Sequence, residues 1–378
     1  MTSRSPGTLL GGLSERQFLS RHWQRRQLLV RQAVPHFEGM FSRAALFALA
    51  ARDDVESRLV MREGARYTLD HGPFRLRALR GLPPRNWTLL VQGVNLVDRA
   101  ADALLRRFAF LPYARLDDVM ASYAAPGGGV GPHFDSYDVF LLQGFGRRRW
   151  RYGAQRDLAL RPGLPVKILR RFAPSHDDVL SPGDMLYVPP RYAHDGVALD
   201  ACTTYSIGFR AAAYQELVEG FLDRLRDTLV VPGRYADRNA RPAAHPARLD
   251  PAMLRAMSAP LARIRFHERD MRRFIGGWLS EPKPHVTFQP PAPLALRAFT
   301  ARARRQGVRL DLRTQLLYDA REMFVNGSDL RPPRAARAAL ARLADARALD
   351  AAALRRAPAA LFTVLHDWYG HGYLELGA

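Results

Sequence analysis

His133 and Asp135 stand two residues apart in GGGVGPHFDSYDVFLLQGFGRRRW, residues 127–150. A strand alternates its faces, so residues i and i+2 point to the same side. An imidazole and a carboxylate presented together can fill two adjacent positions on one metal ion. A third ligand must come from elsewhere in the sheet. The stretch LSPGDMLYVPPRYAHDGVAL, residues 180–199, offers one. There a Ser-Pro-Gly-Asp turn leads into a strand, two prolines end it, and His194 follows. Two imidazoles and one carboxylate on one side of an ion make the facial triad of non-haem iron(II) oxygenases, which keeps positions open for a cosubstrate and O₂. An isolated His-x-Asp is in most chains a surface pair. The glycine-rich entry, the β-leaning context, the Pro-Gly-Asp turn and the downstream histidine set this one apart. His71, His176 and His366 have no ligand-like partner at strand spacing and read as structural or solvated, and His371 in YGHGY reads as surface.

The elements that must position these groups are legible as changes of period. Residues 14–50 read as two helical pieces, LSERQFLSRHW with a serine start and SRAALFALA after a loop. From about 55 to 210, short β-leaning runs alternate with Gly/Pro turns: RLVM, RYTLD, WTLLVQGV, DDVMASY, YDVFLLQ, RRWRYG, PVKIL, DMLYVPP and CTTYSIGF. Such punctuation predicts an antiparallel sandwich or jelly roll. After Arg210 the strands stop. YQELVEGFLDRLRDTL carries an apolar stripe at helical spacing, RNARPAAHPARLDP is a linker, and LDPAMLRAMSAPLARIRFHERDMRRFIGGWL is again helical with a proline kink near 260. These helices are expected to pair with each other or with a second subunit. SEPKPHVTFQPPAP is a further linker. The tail, from about 290, combines TQLLYDAREMFVNGSDL, with a turn at Asn326-Gly327, and alanine-rich helices. Helices plus a hairpin fit a winged-helix shape.

The chain has 378 residues, 47% of them hydrophobic, enough for a sizeable core and for two or three domains. Lys+Arg is 57 against 36 Asp+Glu, giving +21, and the only lysines are Lys167 and Lys283. The balance favours anionic partners, RNA above all, or else reflects a plain bias toward Arg and Ala; the arginines form no single tail. One cysteine, Cys202, excludes a disulfide framework and agrees with a reducing cytoplasm. The N-terminal segment has no long apolar region of the signal-peptide kind, and no run of about 18 apolar residues is present, so no membrane span is expected.

SYAAPGGGVGPHFDSYDVFLLQGFGRRRWRYG and LSPGDMLYVPPRYAHDGVAL together resemble the bacterial JmjC-type ribosomal oxygenases, the ribosomal-protein arginine hydroxylases. The likeness extends to SRLVM, DHGPF, NWTLLVQGVN, RLDDVMASY and YSIGFRA, and so covers most of residues 10–220. It implies a mainly β fold with α: a double-stranded β-helix (jelly-roll, cupin-like JmjC) domain over 1–212, a helical dimerisation region over 213–282 and a small winged-helix-like α/β domain over 283–378. It further implies Fe(II), 2-oxoglutarate and O₂, an arginine side chain of a large-subunit (50S) ribosomal protein as substrate, and a homodimer; a contact to rRNA is expected from the arginine excess, and a cytoplasmic setting from the single cysteine. Carried over by position, His133, Asp135 and His194 match the iron ligands. One arginine of GRRRW matches the residue that forks onto the distal carboxylate of 2-oxoglutarate through paired charge-assisted hydrogen bonds, and Arg148 is the choice. Its neighbours Arg147 and Arg149 point to the opposite face of a strand. Ser122 matches a hydroxyl that serves the same carboxylate. Thr204 stands where the resemblance leads one to expect an asparagine, which puts the detail of that pocket in doubt. Tyr137, Asp138 and Ser206 are the candidates for holding the substrate, while Phe134, Val139 and Leu141 either shape the pocket or fill the core.

Three rivals are compatible with parts of this pattern. The same oxygenase could act on a histidine of a ribosomal protein. The scaffold could be a non-enzymatic regulator that binds nucleic acid, although such a scaffold has no need of an open metal site. A zinc hydrolase would require a general base beside the metal and would leave the carboxylate-binding arginine unexplained.

Overall fold

In the computed structural model, residues 8–64, 66–238 and 241–377 are described; the extreme N-terminus and part of the 238–251 linker, both discussed from sequence, lie outside them. Eleven strands build the first unit: β1 (Leu28–Val30), β2 (Ser57–Glu63), β3 (Arg66–His71), β4 (Trp87–Val91), β5 (Leu116–Ala124), β6 (Val139–Gln143), β7 (Arg148–Ala154), β8 (His176–Leu180), β9 (Met185–Val188), β10 (Tyr192–Ala198) and β11 (Cys202–Phe209). They form an eight-stranded sheet ordered β1-β9-β6-β11-β5-β4-β2-β3 and a three-stranded sheet ordered β10-β7-β8. The pairings are antiparallel, and the smaller sheet faces the larger as the expected jelly roll requires.

Alternation decides what each face of the large sheet does. Phe140, Leu142, Tyr187, Tyr205, Ile207, Ala121 and Tyr123 point outward, into a core shared with helices α1 (Glu15–Arg21), α2 (Arg43–Ala50) and α4 (Arg99–Arg106); α3 (Leu76–Arg80) follows β3. Phe140 is the hub of that core, with ring centroids of Phe18, Phe108, Tyr187 and Phe209 all within 5.7 Å of its own. The other face turns into the barrel. There Val139, Leu141, Leu186 and Val188 meet Trp150 and Tyr152 of the small sheet. Because both faces are buried, β6 reads VFLLQ with no polar alternation until its last residue.

Several sequence expectations are corrected here. PVKIL forms no strand; only an isolated bridge between Leu160 and Leu169 touches it. The strands β8 (HDDVL) and β10 (YAHDGVA) escaped notice because charge and glycine mask their period. His133 and Asp135 do not sit on a regular strand. They lie in the loop before β6, and His133 makes a single bridge to His194. His194 in turn lies within a strand rather than after one.

Beyond the barrel, α5 (Tyr214–Thr228), α6 (Pro251–Ala262) and α7 (Glu268–Ser280) form the helical region. The proline marks an end rather than a kink: Pro260 falls in the last turn of α6, which closes with Arg263 N–H on the Pro260 carbonyl, and α7 is a separate helix. Phe221 packs on Phe266 and Phe274, at centroid distances of 5.5 and 5.4 Å. The C-terminal unit has its own core around Phe299, Leu340, Phe362 and Trp368. It comprises α8 (Leu296–Gln306), β12 (Val308–Leu310), β13 (Leu316–Tyr318), β14 (Met323–Val325), β15 (Ser328–Leu330), α9 (Arg334–Ala346), β16 (Ala348–Leu349), α10 (Ala351–Arg355), α11 (Ala359–Gly370) and β17 (Leu374–Leu376). Asn326 and Gly327 make the anticipated hairpin turn between β14 and β15, both with positive φ (48° and 88°), the geometry that selects Asn-Gly.

Candidate active site

The mouth of the barrel is closed by two main-chain hydrogen bonds: His133 N–H to the His194 carbonyl, 2.9 Å, and His194 N–H to the His133 carbonyl, 2.8 Å. This bridge sets the two imidazoles side by side, with ring centroids 4.2 Å apart. His133 Nδ1 lies 2.9 Å from the Gly131 carbonyl and His194 Nδ1 3.0 Å from the Tyr192 carbonyl. A carbonyl only accepts, so Nδ1 carries the proton in both rings and each Nε2 presents a lone pair. Asp135 Oδ2 is 3.6 Å from His194 Nε2. Donor atoms of the three residues lie within 4.8 Å of one another, so one ion could take a ligand from each. Burial, reinforced by the neighbouring His133, pushes the His194 imidazolium well below its ordinary pKa, which keeps the ring neutral and ready to ligate.

Strand alternation settles which arginine faces inward. Arg149 is exposed and pairs with Asp177, and Arg147 reaches Asp200 at 2.9 Å. Arg148, Trp150 and Tyr152 are buried. Arg148 is 5% exposed, yet its Nε and Nη2 have no acceptor among the described residues. A buried guanidinium with unspent donors is costly unless an anion completes it. A carboxylate lying between Arg148 and the triad meets that need, so the residues present fit a metal with a dicarboxylate cosubstrate.

The other expected cosubstrate contacts share the inner face but are spent within the sheet. The Thr204 hydroxyl donates to Gln143 Oε1 at 3.1 Å, and the Ser122 hydroxyl donates to the Thr204 carbonyl at 3.2 Å. Ser206 is on the same face, opposite Met120 of β5 and Leu141 of β6. Two further inner-face donors lack partners among the described residues: Trp150 Nε1 and Thr88 Oγ1.

Of the substrate candidates, Tyr137 is at the rim and 40% exposed. What it buries, together with the carboxylates of Asp135 and Asp118, pushes its hydroxyl above the ordinary tyrosine range. Asp138 is not brought to the site. It turns to the outer core, fully buried, where it accepts from Tyr187 Oη at 2.6 Å and Gln24 Nε2 at 3.0 Å, with Arg115 at 3.6 Å. Burial raises its pKa against those hydrogen bonds. Alternation is the reason: Val139 faces the barrel, so its neighbour cannot.

Sequence reasoning passed over Asp118. It is 2% exposed, on the same face of β5 as Met120 and Ser122, and its Oδ1 would lie 3.7 Å from a Cβ built on Gly208. Its carboxylate accepts from Gln92 Nε2 at 2.7 Å and Lys283 Nζ at 2.8 Å; Asp117 lies 3.3 Å from the same ammonium. The signal that could have found it was the inner-face period Asp118-Met120-Ser122.

These roles separate by substitution. Asp135→Ala is expected to abolish Mn(II) binding in calorimetric titration with little change in melting temperature. Asp138→Ala is expected to leave Mn(II) affinity intact and to cost about 1–3 kcal/mol in urea unfolding, since it strands the Tyr187 hydroxyl.

Comparison with known proteins follows the same lines. A JmjC domain model matches residues 103–217, and a ROXA-like winged-helix model matches residues 263–375. The Escherichia coli ribosomal protein uL16 3-hydroxylase is 37% identical over 279 residues, covering 73% of this chain and 74% of that one. Human ribosomal oxygenase 1 is 27% identical over 237 residues, 57% of this chain and 35% of that one. The structure of E. coli YcfD, a ribosomal oxygenase, in complex with cobalt and succinic acid superposes with a TM-score of 0.82 at 32% identity, covering 97% of this chain and 99% of that one. A YcfD structure with cobalt and 2-oxoglutarate gives the same TM-score. With a relative 37% identical over nearly three quarters of both chains, and with its JmjC and winged-helix segments both matched, the chain belongs to the JmjC ribosomal oxygenase family.

Proposed function

We propose that this protein is an Fe(II)- and 2-oxoglutarate-dependent oxygenase that hydroxylates an arginine side chain of a large-subunit ribosomal protein. The observation that carries the reading is the pairing of an open His133, Asp135 and His194 triad with the orphaned, buried guanidinium of Arg148. In this reading the triad holds iron on one side, Arg148 takes the distal carboxylate of the keto acid, and the apolar wall of Val139, Leu141 and Trp150 keeps water out. Bound iron and 2-oxoglutarate supply the activation of O₂ that puts one oxygen atom on the substrate carbon. The chain's own part is ligation, orientation and a dry pocket.

Arginine as the target is supported by charge at the mouth. The carboxylates of Asp118 and Asp117 already hold a cation there, the Lys283 ammonium, and Tyr137 adds a hydroxyl at the rim. In a chain of +21 these carboxylates are balanced by Lys283 and Arg210, and an incoming guanidinium would compete with those cations for them. Asp118, Tyr137 and Ser206 are assigned to the incoming side chain. The name of the E. coli relative makes uL16 the first substrate to try. Incubating recombinant uL16 with the Fe(II)-loaded enzyme and 2-oxoglutarate is expected to add about one oxygen atom to a single arginine peptide by mass spectrometry, and Asp135→Ala to add none. An oxygen on histidine instead would favour the alternative target, and absence of succinate release with any ribosomal protein would favour the non-enzymatic regulator.

A homodimer is supported by the helical region. Val218 and Leu222 of α5 and Leu254, Met257 and Leu261 of α6 are exposed, and neither helix buries a residue within the chain. Apolar faces of this kind need a partner. Analytical ultracentrifugation is expected to give a dimer, and Leu222→Glu with Leu261→Glu a monomer.

For rRNA, the support is a set of exposed arginines on the packed pair α8 and α10, Arg302, Arg305 and Arg355, continued by Arg356. Filter binding to ribosomal RNA is expected to weaken steeply with added salt. A cytoplasmic setting agrees with a ribosomal substrate and a free, buried Cys202; among the described residues no helix is long and apolar enough to cross a membrane.

A further inference from the structure

Trp150 is the buried group of the barrel that neither the metal triad nor the arginine explains. Its indole Nε1 has no acceptor among the described residues, although buried donors are almost always paired. It shares the inner face of β7 with Arg148, whose Cζ is 5.8 Å from the indole centroid, and its ring is 6.0 Å from that of His194. The indole therefore lines the path from the triad to the guanidinium. It is also locked in place: a Cβ at Gly196 would come within 2.7 Å of the ring, so the absent side chain there is the slot that the indole fills.

The donors on the neighbouring inner-face positions of β5, β6 and β11 are engaged. Thr204 and Ser122 give their protons to Gln143 and to the Thr204 carbonyl, and the Gln143 amide serves the Phe145 and Gly146 carbonyls at 3.4 and 3.1 Å. Thr88 is unpaired but stands on β4, separated from Arg148 by Ala124 and Ala198. A carboxylate offers about four lone-pair sites, more than one guanidinium edge fills. We propose that the Trp150 indole N–H donates to the carboxylate of 2-oxoglutarate held by Arg148, taking the place of the amide that the family resemblance predicts at Thr204. This rests on the oxygenase reading above. As a donor with no acceptor and no titration, an indole offers an anion nothing to repel it.

The test is calorimetric titration of 2-oxoglutarate into the Mn(II)-loaded protein without O₂, so that no turnover is required. Two variants remove the N–H: Trp150→Phe, and benzothienylalanine introduced at position 150, which keeps the bicyclic shape. Both are expected to bind 2-oxoglutarate about tenfold or more weakly than the parent, with Mn(II) affinity and melting temperature of the isosteric variant unchanged. Equal 2-oxoglutarate affinity in the isosteric variant and the parent overturns the inference and leaves the oxygenase reading standing. A parent protein that binds Mn(II) but no 2-oxoglutarate overturns both.

Discussion

Two reciprocal main-chain hydrogen bonds between His133 and His194 hold the chemistry of this protein together. They join a loop to a strand of the small sheet some sixty residues later in the chain, and with the Arg191 N–H on the Asp135 carbonyl they fix the first histidine and the aspartate relative to the second histidine. Each ring is then oriented by a carbonyl two residues upstream of it, Gly131 for one and Tyr192 for the other. The metal-facing nitrogen atoms are thus aimed by the backbone rather than by other side chains. A second layer of carboxylates, common behind metal-bound histidines, is replaced here by peptide groups.

The small sheet does the complementary work. Along β7, one residue in two turns into the barrel, and the alternation sorts three consecutive arginines into two surface ion pairs and one buried cation. The surface pairs are worth little to stability. The buried one is a standing cost that an anion bound beside it would offset.

Much of this was legible in the sequence because it is periodic or locally punctuated. The Pro-Gly-Asp turn, the glycine-rich entry, the Asn-Gly hairpin and the uninterrupted VFLLQ strand each announce a local geometry. The triad was legible as a set of residue types, but not for the reason of spacing: His133 and Asp135 converge through a loop and one bridge, not through the alternation of a strand. What stayed hidden depends on long-range pairing. That Asp138 turns outward while Tyr137 stays at the rim, that Thr204 spends its hydroxyl on Gln143, and that Asp118 lines the mouth are facts of register between strands far apart in the chain. β10 was missed because its histidine, aspartate and glycine erase the alternation that would have marked it.

Lys283 joins the two ends of the molecule in one contact. It belongs to the linker ahead of the winged helix, yet its ammonium neutralises a carboxylate buried 165 residues earlier on the inner face of the barrel. The C-terminal third is therefore not a detachable appendage. Excising it would leave the buried Asp118 carboxylate with the Gln92 amide but no countercharge, so the barrel carries in its own wall an electrostatic dependence on the domain that follows it.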